Sequence, residues 1–104
     1  MGTDRLYNAI GLCQRAGKAQ SGAFAAENAI KRGRAKLVLL EESASEATKT
    51  HYEKLCAAHG VPLMTTETVG RAIGKDARIV MAVTDPSFRD MIERAMQNTD
   101  EKRG

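Results

Sequence analysis

Near the N-terminus, Leu6, Ala9, Ile10 and Cys13 recur at helical spacing, behind Thr3 and Asp4, which can cap the helix, and ahead of Gly17, which suits a left-handed helix end. A second helix opens at Ser21 as N-cap, carries Ala23, Ala26, Ala29 and Ile30, and closes at Gly33. Residues 37–40 are a continuous apolar run, the pattern of a strand covered on both faces. Ser43 with Glu46 three residues later reads as a capping box for a third helix, whose inner face is Tyr52, Leu55, Cys56 and His59 before Gly60. Residues 61–65 form a second strand with Pro62 near its start, where a missing N–H costs least. A short helix over 66–73 ends at Gly74, a turn over 75–78 follows, and 79–83 form a third strand. Asp85 then caps a last helix with Pro86 at its first position and an apolar stripe of Phe88, Met91, Ile92, Ala95 and Met96. Residues 97–104 are polar and are expected to fray. Alternating helices and doubly covered strands predict an α/β fold, a three-layer α/β/α sandwich on a small, mostly parallel or mixed sheet, with one domain over 1–96.

Composition narrows the class. At 104 residues the chain is long enough for one core that buries roughly 60 to 70% of the unfolded surface. Cys13 and Cys56 have no metal-ligand spacing and suit reduced, buried thiols of a cytoplasmic protein. No apolar run reaches the roughly 20 residues of a membrane helix, and no basic, apolar signal sequence opens the chain. Met1-Gly2 starts like a myristoylation site, but Leu6 stands where Ser or Thr is needed. The net charge of +3 is unevenly spread: residues 1–36 hold seven Lys/Arg against Asp4 and Glu27, and the remainder holds nine against eleven Asp/Glu. That concentration points towards an anionic partner.

Catalytic chemistry has little support. Cys13, Cys56, His51 and His59 lie in no nucleophile–base motif, and Cys56 with His59 supplies two metal ligands where a closed zinc site needs four. The bland reading puts Cys56 in the core and His59 near a helix C-terminus. Neither glycine-rich nucleotide motif is present, and Glu41 and Glu42 read as loop residues leading into the Ser43 capping box. No cofactor, metal or catalytic residue is therefore expected. Anion binding has a geometric basis, because a helix N-terminus presents free N–H groups and Ser21-Gly22 lets a phosphate backbone approach closely. Lys18 precedes that opening, while Arg32, Arg34 and Lys36 lie at the far end of the same helix, so their share in one face depends on the fold. Solvated surface charge remains the competing reading. The aromatics Tyr7, Phe24, Tyr52 and Phe88 form no base-stacking motif.

The segments RAGKAQSG, IKRGRAKLVLLEESASEATK, AHGVPL and VGRAIGKDARIVMAVTD, in that order, resemble the ribosomal protein L7Ae/L30e/S12e/Gadd45 superfamily over about residues 4–95, most sharply its bacterial YlxQ-like members. The resemblance implies a four-stranded mixed sheet, with an extra short strand near Ala19 and Gln20. It also implies RNA binding, typically to kink-turns, at the N-terminus of the second helix. That helix opens Gly-x-Asn-Glu-x-x-Lys in the kink-turn binders. Here Gly22 matches, but Phe24, Ala25 and Asn28 stand at the Asn, Glu and Lys positions. The family's Asn and Glu read base edges, and each such contact is worth roughly 1 to 3 kcal/mol of discrimination. The second contact loop, after Gly74, is usually apolar in tight binders and here carries Lys75, Asp76, Ala77 and Arg78, which favours phosphate contact. The expected RNA-binding set is Lys18, Gly22, Phe24, Ala25, Asn28, Arg34, Lys75 and Arg78. The expected partner is structured RNA, ribosomal or kink-turn-like, with a ribosome or protein partner also open. The alternative is a protein-interaction module on the same fold, docking through Phe24 and the Ala-rich helix start.

Overall fold

The computed structural model describes residues 2–67, 69 and 78–103, with side chains over 5–67, 69 and 78–97. Its elements run α1 (Gly2–Arg15), β1 (Ala19–Ser21), α2 (Ala23–Lys31), β2 (Leu37–Glu41), α3 (Glu46–His59), β3 (Leu63–Thr66), β4 (Val80–Val83) and α4 (Pro86–Arg103). The strands form one mixed sheet in the order β1-β4-β2-β3, in which β4 is antiparallel to both neighbours and β2 is parallel to β3. The α/β sandwich and its four-stranded mixed sheet are as expected. Most of the helix expected over 66–73, its Gly74 stop and the turn with Lys75 lie outside the described residues.

The two layers follow from alternation along β2. Leu37 and Leu39 join Leu6, Ala9, Ile10 and Cys13 of α1 and Ile92 and Ala95 of α4 on one face. Val38 and Leu40 meet Ala26, Ala29 and Ile30 of α2 and Tyr52 and Cys56 of α3 on the other. Leu37, Val38, Leu39 and Leu40 are fully buried, which contributes about 1.5 to 3 kcal/mol for each large side chain. The α4 stripe is buried at Ile92 and Ala95, half-buried at Phe88 and Met96, and exposed at Met91, where the helical period carries the side chain off the packed face. Burial, with the Asp85 carboxylate adding to it, pushes the Cys13 thiol up to about 12, and burial also raises Cys56. Both are packed, protonated thiols. His59 is exposed while Cys56 is buried, so His59 leaves the expected inner face of α3 and the two do not share a site.

Register decides what lies at each end of the sheet. Val83 pairs with Ala19 and Leu37, whereas Met81 pairs with Ser21 and Val80 with Leu40. One end therefore gathers the Ser21-Gly22 junction, Glu41 and the Arg78-Ile79 approach. The other gathers Lys18, Lys36 and Thr84, tied by Thr84 N to Lys18 O at 2.9 Å and Lys36 N to Val83 O at 2.7 Å.

Several local expectations shift. α1 includes Thr3 and Asp4 instead of starting after them, since the first N–H groups of a helix need no intrahelical partner. β3 starts at Leu63, because Val61 N is used in the α3 end, donating to Cys56 O, and Pro62 has no N–H to give. Glu41 belongs to β2 rather than to a loop, and its Oε1 accepts from Val69 N. α4 continues through Arg103, past the apolar stripe and into the polar segment. Asp85 caps α4 as expected, its Oδ1 accepting from Ser87 N and Phe88 N.

The α3 cap is Ser45, not Ser43: Ser45 Oγ accepts from Thr48 N at 3.1 Å. The chain turns through Glu42 and Ser43 with Ala44 N bonded to Glu41 O, which leaves Ser43 too early to reach the first helical turn. Replacing Ser45 with Ala is expected to cost about 1 kcal/mol in chemical denaturation, and replacing Ser43 with Ala within about 0.5 kcal/mol of nothing. Equal losses at the two serines would contradict this cap.

Candidate nucleic-acid interface

The sheet end at Ser21 is organised by one glycine. Gly22 is the N-cap of α2 at φ 92° and ψ 157°, a region that only glycine occupies without strain. Gly22 N donates to Val80 O across the sheet edge, and Gly22 O accepts from Ala26 N in the first helical turn. The backbone thus leaves β1 and enters α2 through a single residue, in place of the expected Ser21 cap. Without a side-chain cap, and with no acidic residue in its first turn, α2 leaves the N–H groups of Ala23, Phe24 and Ala25 to whatever approaches from outside.

Arg78 is placed against this opening. Its Nη1 donates to Ser21 O at 2.9 Å and reaches Ser21 Oγ at 3.4 Å. A Cβ on Gly22 would stand 2.7 Å from the same nitrogen, so the glycine also makes room for the guanidinium. Phe24, one residue into the helix, is 88% exposed. Ser21, Gly22, Ala23, Phe24, Ala25, Arg78 and Ile79 line an open cleft of about 470 Å³. The arrangement joins a positive helix terminus, a guanidinium and an outward aromatic ring, which suits an anion attached to a flat, stackable group.

The expected residues divide into two groups. Gly22, Phe24, Ala25 and Arg78 come together. Asn28 lies one turn along α2 from Phe24, exposed, with its Oδ1 accepting from Arg32 Nε at 3.1 Å. Lys18 and Arg34 are at the opposite end of the sheet, and Lys75 lies outside the described residues. Ile79 and the Ser21 carbonyl were not foreseen as part of the cleft. Neither carries a local signal, since the Ser21–Arg78 contact joins positions 57 residues apart. Among the described residues no three metal-ligating side chains come together, and no helix is long and apolar enough to cross a membrane.

Comparison with known proteins shows the family and the fold. The model of the ribosomal protein L7Ae/L30e/S12e/Gadd45 family matches residues 4–92. The RNA-binding protein YlxQ of Bacillus subtilis (strain 168) is 42% identical over 86 residues, covering 80% of this chain and 86% of that protein. A protein of unknown function from Bacillus halodurans has a TM-score of 0.83 and 27% identity, covering 89% of this chain and 97% of its own. The Giardia lamblia 15.5kD RNA binding protein has a TM-score of 0.73 over 96% of this chain and 88% of its own; at 20% identity that likeness is one of fold.

Gly22→Ala tests the junction. The positive φ alone is expected to cost about 1 to 3 kcal/mol, and the new methyl also displaces Arg78 from Ser21. In an Arg78→Ala background the clash is gone but the backbone strain remains, so denaturation of the single and double variants should show most of the Gly22→Ala loss persisting. Full recovery in the double variant would place the cost in the guanidinium contact instead.

Proposed function

Because this chain belongs to the ribosomal protein L7Ae/L30e/S12e/Gadd45 family, we propose that it is a non-catalytic RNA-binding protein of the ribosomal-protein type, acting in the cytoplasm. Its RNA is structured, of kink-turn or related shape. The observation that carries the reading is the uncapped N-terminus of α2 with Arg78 beside it and Phe24 pointing outward. The helix terminus carries roughly half a positive charge, and its free N–H groups hold a phosphate while the guanidinium of Arg78 takes a second oxygen or the next phosphate. Phe24 stacks on an unpaired base, a contact worth about 1 to 3 kcal/mol and tolerant of base identity. Lys75, outside the described residues, stays in the proposed set for its charge alone.

Selectivity is reduced relative to kink-turn binders that read base edges from this helix. Phe24 and Ala25 have no side-chain hydrogen-bonding groups, and the Oδ1 of Asn28 already accepts from Arg32. What remains is recognition by charge and by the shape of a sharply bent backbone, which any RNA presenting an exposed phosphate turn and a splayed base satisfies. A second reading draws on the same ring: Phe24 at 88% and Ile79 at 37% exposure form a small apolar patch for a protein partner.

Equilibrium binding to a kink-turn RNA separates the two. On the RNA reading, affinity falls steeply with salt, and Phe24→Ala or Arg78→Ala each weakens it about tenfold. No binding at low salt, together with loss of a protein complex on Phe24→Ala alone, would favour the second reading.

A further inference from the structure

The cations of residues 15–36 do not converge on the α2 N-terminus. Arg15, Lys18, Lys31, Arg32, Arg34 and Lys36 stand in this stretch against Glu27, and Glu27 is turned to α3, where its Oε2 meets His51 Nε2 at 3.2 Å and Tyr52 OH at 3.3 Å. Lys18 and Lys36 flank the end of β4 from either side, roughly 10 Å apart across two interstrand spacings. Arg34 leads into β2 beside them, with its N bonded to Ala29 O. Arg15, Lys18, Lys31, Arg32 and Arg34 are exposed and Lys36 half-buried.

Ordinary roles do not absorb this charge. Lys31 and Arg32 lie at the α2 C-terminus, where cations offset the helix dipole. Lys18, Arg34 and Lys36 lie beyond that turn, and among the described residues no carboxylate pairs with any of them. Asp85, a carboxylate at this end, has its Oδ1 occupied by the Ser87 and Phe88 N–H groups. The exposed face of α2 joins the two ends, with Phe24, Asn28 and Arg32 spaced at i, i+4 and i+8 and the Arg32 Nε bonded to Asn28.

We propose that Lys18, Arg34 and Lys36, with Arg32, form a second surface for RNA phosphates at the opposite end of the sheet, reached along α2 by the same RNA that is held at Gly22, Phe24 and Arg78. The six-residue path from Arg78 to Thr84 along β4 puts the surfaces roughly 20 Å apart. The first surface holds the bent, exposed backbone. The second holds the phosphates of a stem leading away from it, by charge alone and without regard to sequence. This inference rests on the RNA reading of the first surface.

The test measures binding against salt for a kink-turn RNA with long stems and for the same RNA with stems trimmed close to the bend. The proteins are the full chain, Lys18→Ala/Arg34→Ala/Lys36→Ala, and Arg78→Ala, with circular dichroism to verify folding. The triple variant is expected to lower the slope of log affinity against log salt by about 2 to 3 on the long-stem RNA and to leave the trimmed RNA nearly unaffected. An unchanged slope on the long-stem RNA, with Arg78→Ala still weakening binding, would overturn the second surface and leave the first standing. Equal loss on both RNAs would also overturn it, since the charges would then act without the stem. Absence of salt-sensitive binding by the unaltered chain would remove both.

Discussion

Strand β4 fixes the arrangement of the molecule. Its four residues, Val80, Met81, Ala82 and Val83, are fully buried, and both of its edges are paired, to β1 on one side and to β2 on the other. A strand closed on all four sides admits no slip, because a one-residue shift would exchange the two faces and send each apolar side chain into the wrong layer. Its beginning is therefore held at Gly22 and its end at Lys18 and Lys36. The chain entering β4 carries Arg78 to the mouth of α2, and the chain leaving it separates the remaining cations from that mouth by the length of the sheet. The α2 site and the basic end opposite are two consequences of one register.

The α2 entrance gives up stability that the fold elsewhere retains. α3 has Ser45 and α4 has Asp85 as side-chain caps, and α3 ends on Gly60 in a left-handed conformation that returns its backbone hydrogen bonds. α2 begins on an uncapped glycine at a φ few residues tolerate, with a nearly fully exposed phenylalanine in its first turn. A cap there would be worth about 1 kcal/mol, and a buried ring more. Local rules are broken together at this one point while the surrounding elements obey them, and it is the point at which RNA binding is proposed. The neighbouring Glu27–Tyr52 contact shows the contrast: there the polar groups of α2 are turned inward and satisfied, and burial and the carboxylate together push the Tyr52 hydroxyl's pKa up.

Much of this was legible in the sequence. The apolar run through Leu37–Leu40, the Asp85-Pro86 start and the glycines at 17, 33 and 60 report strands, caps and stops directly, because each depends on its immediate neighbours. The Ser43 box failed for a related reason: two serines compete within three positions, and the turn after β2, set by pairing with β4, decides which one meets the first helical amides. β1 is three residues long and owes its existence to β4, so it became visible only through family resemblance. The site was half legible. Gly22 and Phe24 could be named from the helix opening, whereas the meeting of Arg78 with Ser21, and the separation of Lys18 and Arg34 from both, depend on register across most of the chain.

On the proposed RNA reading, the open amides of α2 face the RNA. The most direct measurement is the backbone amide spectrum of the isotope-labelled protein during titration with a kink-turn RNA. Large shifts are expected at the amides of Ala23, Phe24, Ala25 and Arg78, with the exposed face of α3 around Glu53 and Lys54 unmoved. Shifts centred on α3, with residues 23–25 unchanged at saturation, would contradict it.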